Sequence, residues 1–180
     1  MLKCALHTHT TLSDGKLTPI EVIQLYYNSG YRVIAITDHD RWYDGKTQYK
    51  DMLIIPGNEK TEGRCHVVEF GGIRILAHPK WSGLSEDDFT SKMNSCNAYE
   101  AFNTTCRQKS SRWHPELSTW PGQGVAVDDF HWSPWKLKDI GLTNFFDIGN
   151  TWIDANPTIE SVCAAIATGN YSTRIRHENI

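Results

Sequence analysis

The sequence predicts an α/β fold in which parallel strands alternate with helices. Residues 2–37 read as one β-α-β unit, and such a unit makes its two strands parallel. Apolar runs of strand length recur along the rest of the chain, and histidines or carboxylates follow most of them. Because the carboxyl ends of parallel strands form the active-site rim of a β/α barrel, this pattern favours a barrel with a site on its rim.

The elements are predicted from local signals. In the first unit the helix starts at Thr18, with Pro19 in its first turn and Glu21 completing a capping box. Strands are predicted at 2–6, 32–37, 52–55, 67–70, 74–77, 99–102 and 125–127, and helices at 86–94, at 107–119 and from 158 to the residue before Gly169. A Pro56-Gly57 turn is predicted to end the third strand and to deliver Glu59 to the rim.

Composition describes an ordinary globular chain. The chain has 180 residues, 39% of them hydrophobic, and a formal charge of −3, which gives no global electrostatic case for nucleic acid or a membrane surface. We expect one domain over residues 1–180. No apolar segment approaches the ~20 residues of a membrane helix, and no signal peptide is apparent. The five cysteines form no metal motif, which favours reduced thiols in a cytoplasmic protein.

Ligand-type side chains recur where the predicted strands end. His7 and His9 lie two residues apart, and residues i and i+2 of an extended chain point to the same face. The strand-end candidates are His7, His9, Asp14, His39, Glu59, His66, His78, Asp129 and His131. Imidazole and carboxylate without thiolate suit zinc, manganese or iron. This set is too large for one ion, so we expect two or three divalent ions with bridging carboxylates.

Taken in order, these motifs resemble the PHP-domain superfamily (polymerase and histidinol phosphatase). The matching segments are His-Thr-His-Thr-x-x-Ser-Asp-Gly (7–15), Ile-Thr-Asp-His-Asp (36–40), Pro-Gly-x-Glu (56–59), His66, Ala-His-Pro (77–79), Glu-x-x-Asn (100–103), Asp-x-His (129–131) and the closing stretch 159–173. The resemblance implies a distorted TIM-like barrel of about seven β/α units. Such barrels typically have about 250 residues, so a chain of 180 is expected to be compact, with trimmed loops or helices.

The resemblance also implies how the ligands are shared among three metals. His7, His9, Glu59 and Asp129 would hold the first ion. Glu59 would bridge to a second ion, completed by His66 and His78. Asp14, His39 and His131 would hold the third, at a position where family members carry either histidine or aspartate in place of Asp14.

The leading functional hypothesis is a metal-dependent hydrolase of phosphate esters. The nucleophile would be a metal-bound hydroxide, since metal binding brings the pKa of a bound water to about 7 in favourable zinc sites. The expected substrate is a small phosphomonoester or a nucleotide. One alternative is a nuclease acting at an oligonucleotide end. The other is a non-catalytic PHP module that binds a partner such as a polymerase.

The roles of the remaining polar residues stay open at this point. Asp38 either orients a ligand or water or caps a following helix. The candidates for substrate binding are Arg41, Lys80, Asn103, Arg107 and Arg112, although a charged loop residue is commonly just solvated and Asn103 can equally satisfy backbone groups at a strand end. Asp40 and Asp128 are predicted to be solvated rim residues. The oligomeric state is not predicted.

Overall fold

The computed structural model of the chain describes residues 1–106, 122–133 and 145–176. Its strands are β1 Leu2–Ala5, β2 Val33–Ile36, β3 Gln48–Tyr49, β4 Met52–Glu62, β5 Cys65–Phe70, β6 Ile73–Ala77, β7 Ala98–Asn103, β8 Gly124–Val127, β9 Gly149–Ile153 and β10 Tyr171–Ile175. The helices with defined ends are α1 Pro19–Asn28, α2 Glu86–Met93 and α3 Ile159–Thr168, with a 3-10 turn at Phe145–Asp147. The predicted helix at 107–119 lies outside the described residues.

All ten strands belong to one sheet that is curved into a nearly closed barrel. Their order is β10-β9-β1-β2-β4-β5-β6-β7-β8, with β3 paired to β4. The pairs β1-β2, β2-β4, β6-β7 and β7-β8 are parallel, as predicted. β5 is antiparallel to both of its neighbours, and β9 and β10 are antiparallel to the strands beside them. The α/β barrel expected from the sequence is thus confirmed, with antiparallel strands inserted into it.

Two contacts close the barrel beside β8, one to the extension of β1 and one to β9. At the rim, Thr8 and Phe130 form a parallel bridge beyond the ends of these strands. Further down, the Thr151 hydroxyl on β9 accepts from Ala126 N at 3.0 Å and donates to Ala126 O at 2.9 Å. A side chain therefore replaces a backbone ladder at this part of the seam.

Helix α1 begins as its sequence predicts. Glu21 accepts a hydrogen bond from Thr18 N at 2.8 Å, which satisfies a donor that the helix itself leaves free. Val22, Ile23 and Tyr26 form its buried face and pack on the outer side of β2 and β4. Of the described residues, none belongs to a helix long and apolar enough to cross a membrane.

The predicted turn at Pro56-Gly57 is wrong, because β4 continues through it. Pro56 still pairs with Ile36 of β2, and Gly57 already pairs with Phe70 of β5. A Cβ at position 57 would lie 2.7 Å from Glu69 O. The glycine is therefore needed for a close approach of two strands rather than for a turn, and a sequence pattern cannot distinguish these two uses.

Candidate metal centre

The rim is built first by the extensions of β1 and β8. Asp129 N donates to His7 O at 3.1 Å, and His9 N donates to Phe130 O at 2.9 Å. These two bonds set the His-x-His and Asp-x-His segments side by side in register. Both segments have i, i+2 spacing, so each presents two ligand-type side chains to the same space.

The extension of β2 and the strand β4 beside it form the second side of the centre. Glu59 N donates to Asp38 O at 3.1 Å, and Asp40 N donates to Glu59 O at 2.9 Å. This bridge places His39 beside Glu59, whose side chain is almost fully buried. Glu59 thereby reaches the middle of the rim.

His66 and His78 complete the cluster through an antiparallel pair. His66 is at the start of β5 and pairs with Ala77 at the end of β6, directly before His78. The start of an antiparallel strand lies at the same rim as the ends of its neighbours. This explains how a histidine that precedes an apolar run joins histidines that follow other runs.

Four ligand atoms lie around one point at the base of the rim. The distance between His7 Nε2 and His9 Nε2 is 2.9 Å, and each lies 3.2 to 3.5 Å from Glu59 Oε2 and Asp129 Oδ1. Asp129 Oδ1 is buried and has no hydrogen-bond partner among the described residues. Two ligands that each lie about 2.1 Å from one tetrahedral zinc ion stand about 3.4 Å apart, and the distances from the two histidine nitrogens to these carboxylate oxygens are close to that value. The donor set and the orphaned oxygen therefore fit a divalent cation.

Glu59 also connects this group to three more imidazoles. Its other oxygen, Oε1, lies 3.0 Å from His66 Nδ1 and 3.0 Å from His78 Nε2. His39 Nδ1 lies 3.1 Å from Oε2. One carboxylate is thus shared by five histidines, which is the arrangement of a bridging ligand.

A third group lies at the outer edge of the rim. Asp14 Oδ1 is 3.3 Å from His131 Nε2, 3.6 Å from His9 Nδ1 and 3.9 Å from His39 Nε2. These four residues, like the set of His7, His9 and Glu59 and the set of His39, Glu59 and His66, have ligand atoms within 4.8 Å of one another. The Asp14 side chain is 56% exposed, so this group is open to solvent.

The pKa values of the buried residues in this cluster are shifted far from their ordinary values. Burial disfavours the charged form of His7, but Asp129, Glu59 and Glu100 outweigh it and raise the His7 pKa well above its usual value. The same competition raises the His9 pKa to about 9. Burial would raise the pKa of Glu59, yet the surrounding histidines lower it far below the ordinary range. The buried carboxylates thus favour positive charge at the centre of the rim.

The more exposed imidazoles behave differently. Burial lowers the pKa of His39 and of His131, in spite of the nearby Glu59 and Asp129 carboxylates. Both rings are therefore neutral at pH 7, which is the form that binds a metal.

Asp38 fastens the loop that carries the first ligands. It is fully buried, and its Oδ1 accepts from Thr10 N at 2.8 Å and from Ser13 Oγ at 2.7 Å. The same loop passes so close to itself that a Cβ on Gly15 would lie 2.7 Å from the His9 carbonyl carbon. Both residues therefore shape the loop between His9 and Asp14.

Glu100 is the buried residue at this site whose role the sequence did not reveal. It accepts from His7 Nδ1 at 2.6 Å, from His78 N at 2.7 Å and from Asn103 Nδ2 at 2.8 Å. The signal was present, because Glu100 is a carboxylate inside an otherwise apolar strand, and such a group needs partners. The Asn103 amide also donates to Asp129 Oδ2 at 3.1 Å, so its polar atoms contact the ligand framework.

Asp128 corrects the expectation of a solvated rim residue. It is 1% exposed, and its Oδ2 lies 2.8 Å from the Tyr31 hydroxyl and 3.2 Å from that of Tyr26. Burial raises its pKa to about 7. Asp40 is exposed, and it accepts from the Thr61 backbone and hydroxyl at 2.9 Å.

Two of the four basic candidates for substrate binding lie among the described residues. Arg41 is exposed directly after Asp40, and Lys80 is half-buried in the turn that follows His78. Trp81, in the same turn, is 55% exposed and meets the His78 ring edge to face at 5.0 Å. Arg107 and Arg112 lie outside the described residues.

Solved structures share this fold. A two-domain protein from Bacteroides vulgatus that contains a predicted PHP-like metal-dependent phosphoesterase matches with a TM-score of 0.71 and 17% identity, over 97% of this chain and 64% of that one. PsfC from Pseudomonas syringae matches with a TM-score of 0.61 and 13% identity, over 97% of this chain and 91% of that one. The fold and the ligand clusters define a barrel protein with a histidine-rich and carboxylate-rich rim. More particularly, the chain has a PHP-like fold, in agreement with the resemblance seen in its sequence.

Sequence comparisons add one short match. No protein-family model matches the chain. A stretch of 38 residues is 47% identical to a 5'-3' exoribonuclease from Haemophilus influenzae, which is 21% of this chain and 14% of that protein. The chain thus spans a small part of the exoribonuclease and less than two thirds of the Bacteroides chain.

Proposed function

We propose that the protein is a metal-dependent hydrolase of phosphate esters that acts on a small phosphomonoester or a nucleotide. One observation carries the proposal: the Nε2 atoms of His7 and His9 each lie within 3.5 Å of Glu59 Oε2 and of Asp129 Oδ1, and Asp129 Oδ1 has no hydrogen-bond partner among the described residues. The PHP-like phosphoesterase of the structural neighbour supports the same class of reaction.

The proposed ligand sets follow the three groups at the rim. The first site would use the four residues just named. The second would use Glu59 Oε1 with His66 and His78, and the third would use Asp14, His39 and His131, all of which lie in the clusters described above. Zinc, manganese or iron suits these donors.

The ligand residues and their neighbours would have different roles in hydrolysis. Bound divalent ions would polarise the phosphoryl oxygens and acidify a coordinated water. The ligands Asp14, Glu59 and Asp129 bring three carboxylates, fewer than the charges on two or three divalent ions, so the loaded centre would attract a phosphate dianion. Asp38 would hold the His9 loop in place, and the exposed side of Asp14 would leave room for the phosphoryl group.

A second candidate is a nuclease that acts at an oligonucleotide end. The 38-residue match to a 5'-3' exoribonuclease favours it. The net charge of −3 opposes binding of a long nucleic-acid track, where contacts between basic side chains and phosphates dominate affinity. An end-acting enzyme needs few such contacts.

The test starts with metal analysis of the purified protein. Stripped protein would be reloaded with manganese or zinc and assayed with p-nitrophenyl phosphate, its bis ester, mononucleotides and end-labelled single-stranded RNA. Hydrolysis of the monoesters supports the first candidate, and cleavage of RNA alone supports the second. Less than one bound metal per chain, with no activity after reloading, would instead favour a non-catalytic partner-binding module.

A further inference from the structure

Glu100 is a buried carboxylate that receives three hydrogen bonds from the ligand framework. It lies in β7 and is 1% exposed. Its Oε1 accepts from His7 Nδ1 at 2.6 Å, while its Oε2 accepts from His78 N at 2.7 Å and from Asn103 Nδ2 at 2.8 Å. Both oxygens are occupied by these donors, so we expect Glu100 to act through other residues.

We propose that Glu100 is a positioning residue that couples the first and second metal sites, an inference that rests on the proposed metal centre. A carboxylate only accepts hydrogen bonds, so the His7 proton lies on Nδ1. In the neutral ring that binds a metal, the lone pair is therefore on Nε2, the atom that lies 3.3 Å from Glu59 Oε2 and 3.5 Å from Asp129 Oδ1. The contact thus selects the tautomer of His7 that can bind a metal.

The second oxygen of Glu100 holds His78 through its backbone. His78 has a φ of 28°, a left-handed conformation that a residue with a side chain adopts only when its surroundings enforce it. The bond from its backbone nitrogen to Glu100 stabilises this conformation. The conformation in turn places His78 Nε2 3.0 Å from Glu59 Oε1.

Asn103 extends the coupling to a third ligand. Its Nδ2 donates both to Glu100 Oε2 and to Asp129 Oδ2, and its Oδ1 accepts from Cys106 N at 2.9 Å. The last bond fixes the orientation of the amide. Asp129 also has a positive φ, of 52°, so two strained ligand residues are tied to one carboxylate.

An amide of the same shape cannot replace this carboxylate. If the glutamine of Glu100→Gln turned its oxygen toward His78 N and Asn103, its amino group would face His7 Nδ1. His7 would then carry its proton on Nε2, the atom that would otherwise bind the metal. If the glutamine turned the other way, its amino group would face two further donors. Either orientation disturbs a ligand of the first or the second site.

The experiment measures zinc affinity of stripped protein by competition with a chromophoric chelator. We expect Glu100→Gln to weaken the two tightest zinc equivalents about 10- to 100-fold, the usual effect of losing a partner of a metal-ligating histidine. Glu100→Asp, which keeps the charge, is expected to recover part of that loss. Asp128→Asn is the matched control, because it also makes a buried carboxylate an amide, yet its side-chain partners are hydroxyls that can reorient. We expect the zinc affinity of this control to be unchanged.

A second readout uses the wild-type protein and needs no variant to fold. In zinc-loaded protein, nitrogen NMR should show His7 bound to the metal through Nε2, with a slowly exchanging proton on Nδ1. Metal binding through Nδ1, or a folded Glu100→Gln variant with wild-type affinity, would overturn the inference. Neither readout uses hydrolysis, so a zinc-binding but inactive protein would contradict the proposed function and leave this inference standing.

Discussion

Asp129 N donates to His7 O at 3.1 Å, and this one backbone bond joins the first and the last segments of the ligand set. It continues the pairing of β1 toward β8 beyond the regular strands, where Thr8 and Phe130 also bridge. The bond orients the two segments so that the buried oxygen Asp129 Oδ1 lies 3.5 Å from His7 Nε2. The bond that closes the barrel at the rim therefore also brings two of the proposed metal ligands together.

The shared carboxylate should be the most sensitive ligand. Glu59→Gln keeps the shape but removes the charge that two groups of imidazoles face, so we expect loss of the first and second ions and a fall in hydrolysis of at least about 100-fold. Metal content by mass spectrometry and rates with p-nitrophenyl phosphate measure both effects. Glu160→Gln, at an exposed position in the first turn of α3, is the control and should retain metals. Full metal content in Glu59→Gln would contradict the bridging role.

The third site should be the weakest of the three. Its carboxylate, Asp14, is 56% exposed, whereas Glu59 and Asp129 are buried, and exposure weakens an ionic ligand through solvent screening. We expect Asp14→Asn to lose one equivalent of metal and to keep the others, and a chelator to remove that same equivalent first from the wild type. Loss of all metals together in either experiment would show that the sites are not separable.

Gly15→Ala should disturb the loop of the first ligands. The added Cβ would lie 2.7 Å from backbone atoms of His9 and Thr10, which cannot move independently of the ligands. We expect a destabilisation of about 1 to 3 kcal/mol, as is usual for overpacking, together with weaker metal binding. Denaturant unfolding and metal titration measure the two effects. Lys16→Ala, at the exposed neighbouring position, should change neither.

Metal binding should strengthen as pH rises. The His9 pKa is raised to about 9, because the nearby Asp129 and Glu59 carboxylates outweigh its burial, and a metal binds only the deprotonated ring. We expect proton release on zinc binding below pH 9, and an affinity that increases up to at least that pH, because the His7 pKa is raised as well. Calorimetry in buffers of different ionisation enthalpy counts the protons. A pH-independent affinity between 6 and 9 would contradict the expected ionisation.

The metal-free protein should respond to pH in the opposite sense. A raised folded-state pKa contributes stability that is fully present below the unfolded value of about 6.5 and is lost as pH rises through the folded value. For His9 this window extends from about 6.5 to about 9. Thermal unfolding of stripped protein should therefore show a falling melting temperature across the window, and zinc-loaded protein should not show this fall.

Tyr31→Phe should remove buried hydrogen bonds to Asp128 and Asn150 and destabilise the fold, without changing a proposed metal ligand. The Tyr31 hydroxyl lies 2.8 Å from Asp128 Oδ2 and 2.7 Å from Asn150 Oδ1, and all three groups are buried. Its removal leaves these acceptors with fewer partners, at an expected cost of about 1 to 3 kcal/mol in the free energy of unfolding. Denaturant unfolding measures that cost. Tyr27→Phe, on the half-buried side of α1, is the control, and metal content should be unchanged in both variants.

Local sequence patterns were sufficient to predict many of the strands and helices of this protein. Spacing of i, i+2 and apolar runs followed by ligand-type residues predicted most of the strands and the strand end after which His7 and His9 lie. The capping box at Thr18 predicted the start of α1. These features depend on neighbours along the chain, so the sequence alone determines them, and it also supplied the resemblance that implied the barrel.

Only the tertiary structure decided the features that depend on distant segments. The antiparallel course of β5 brings His66 to the rim, and close contact with β5 makes Gly57 a strand residue. Asp128 is buried beside tyrosine hydroxyls instead of being solvated. Glu100 takes its proposed role from its contacts with His7 and His78. Hydrophobic periodicity reports which face of an element is buried but not which partner covers it. That partner is selected by packing and hydrogen bonding across the whole chain.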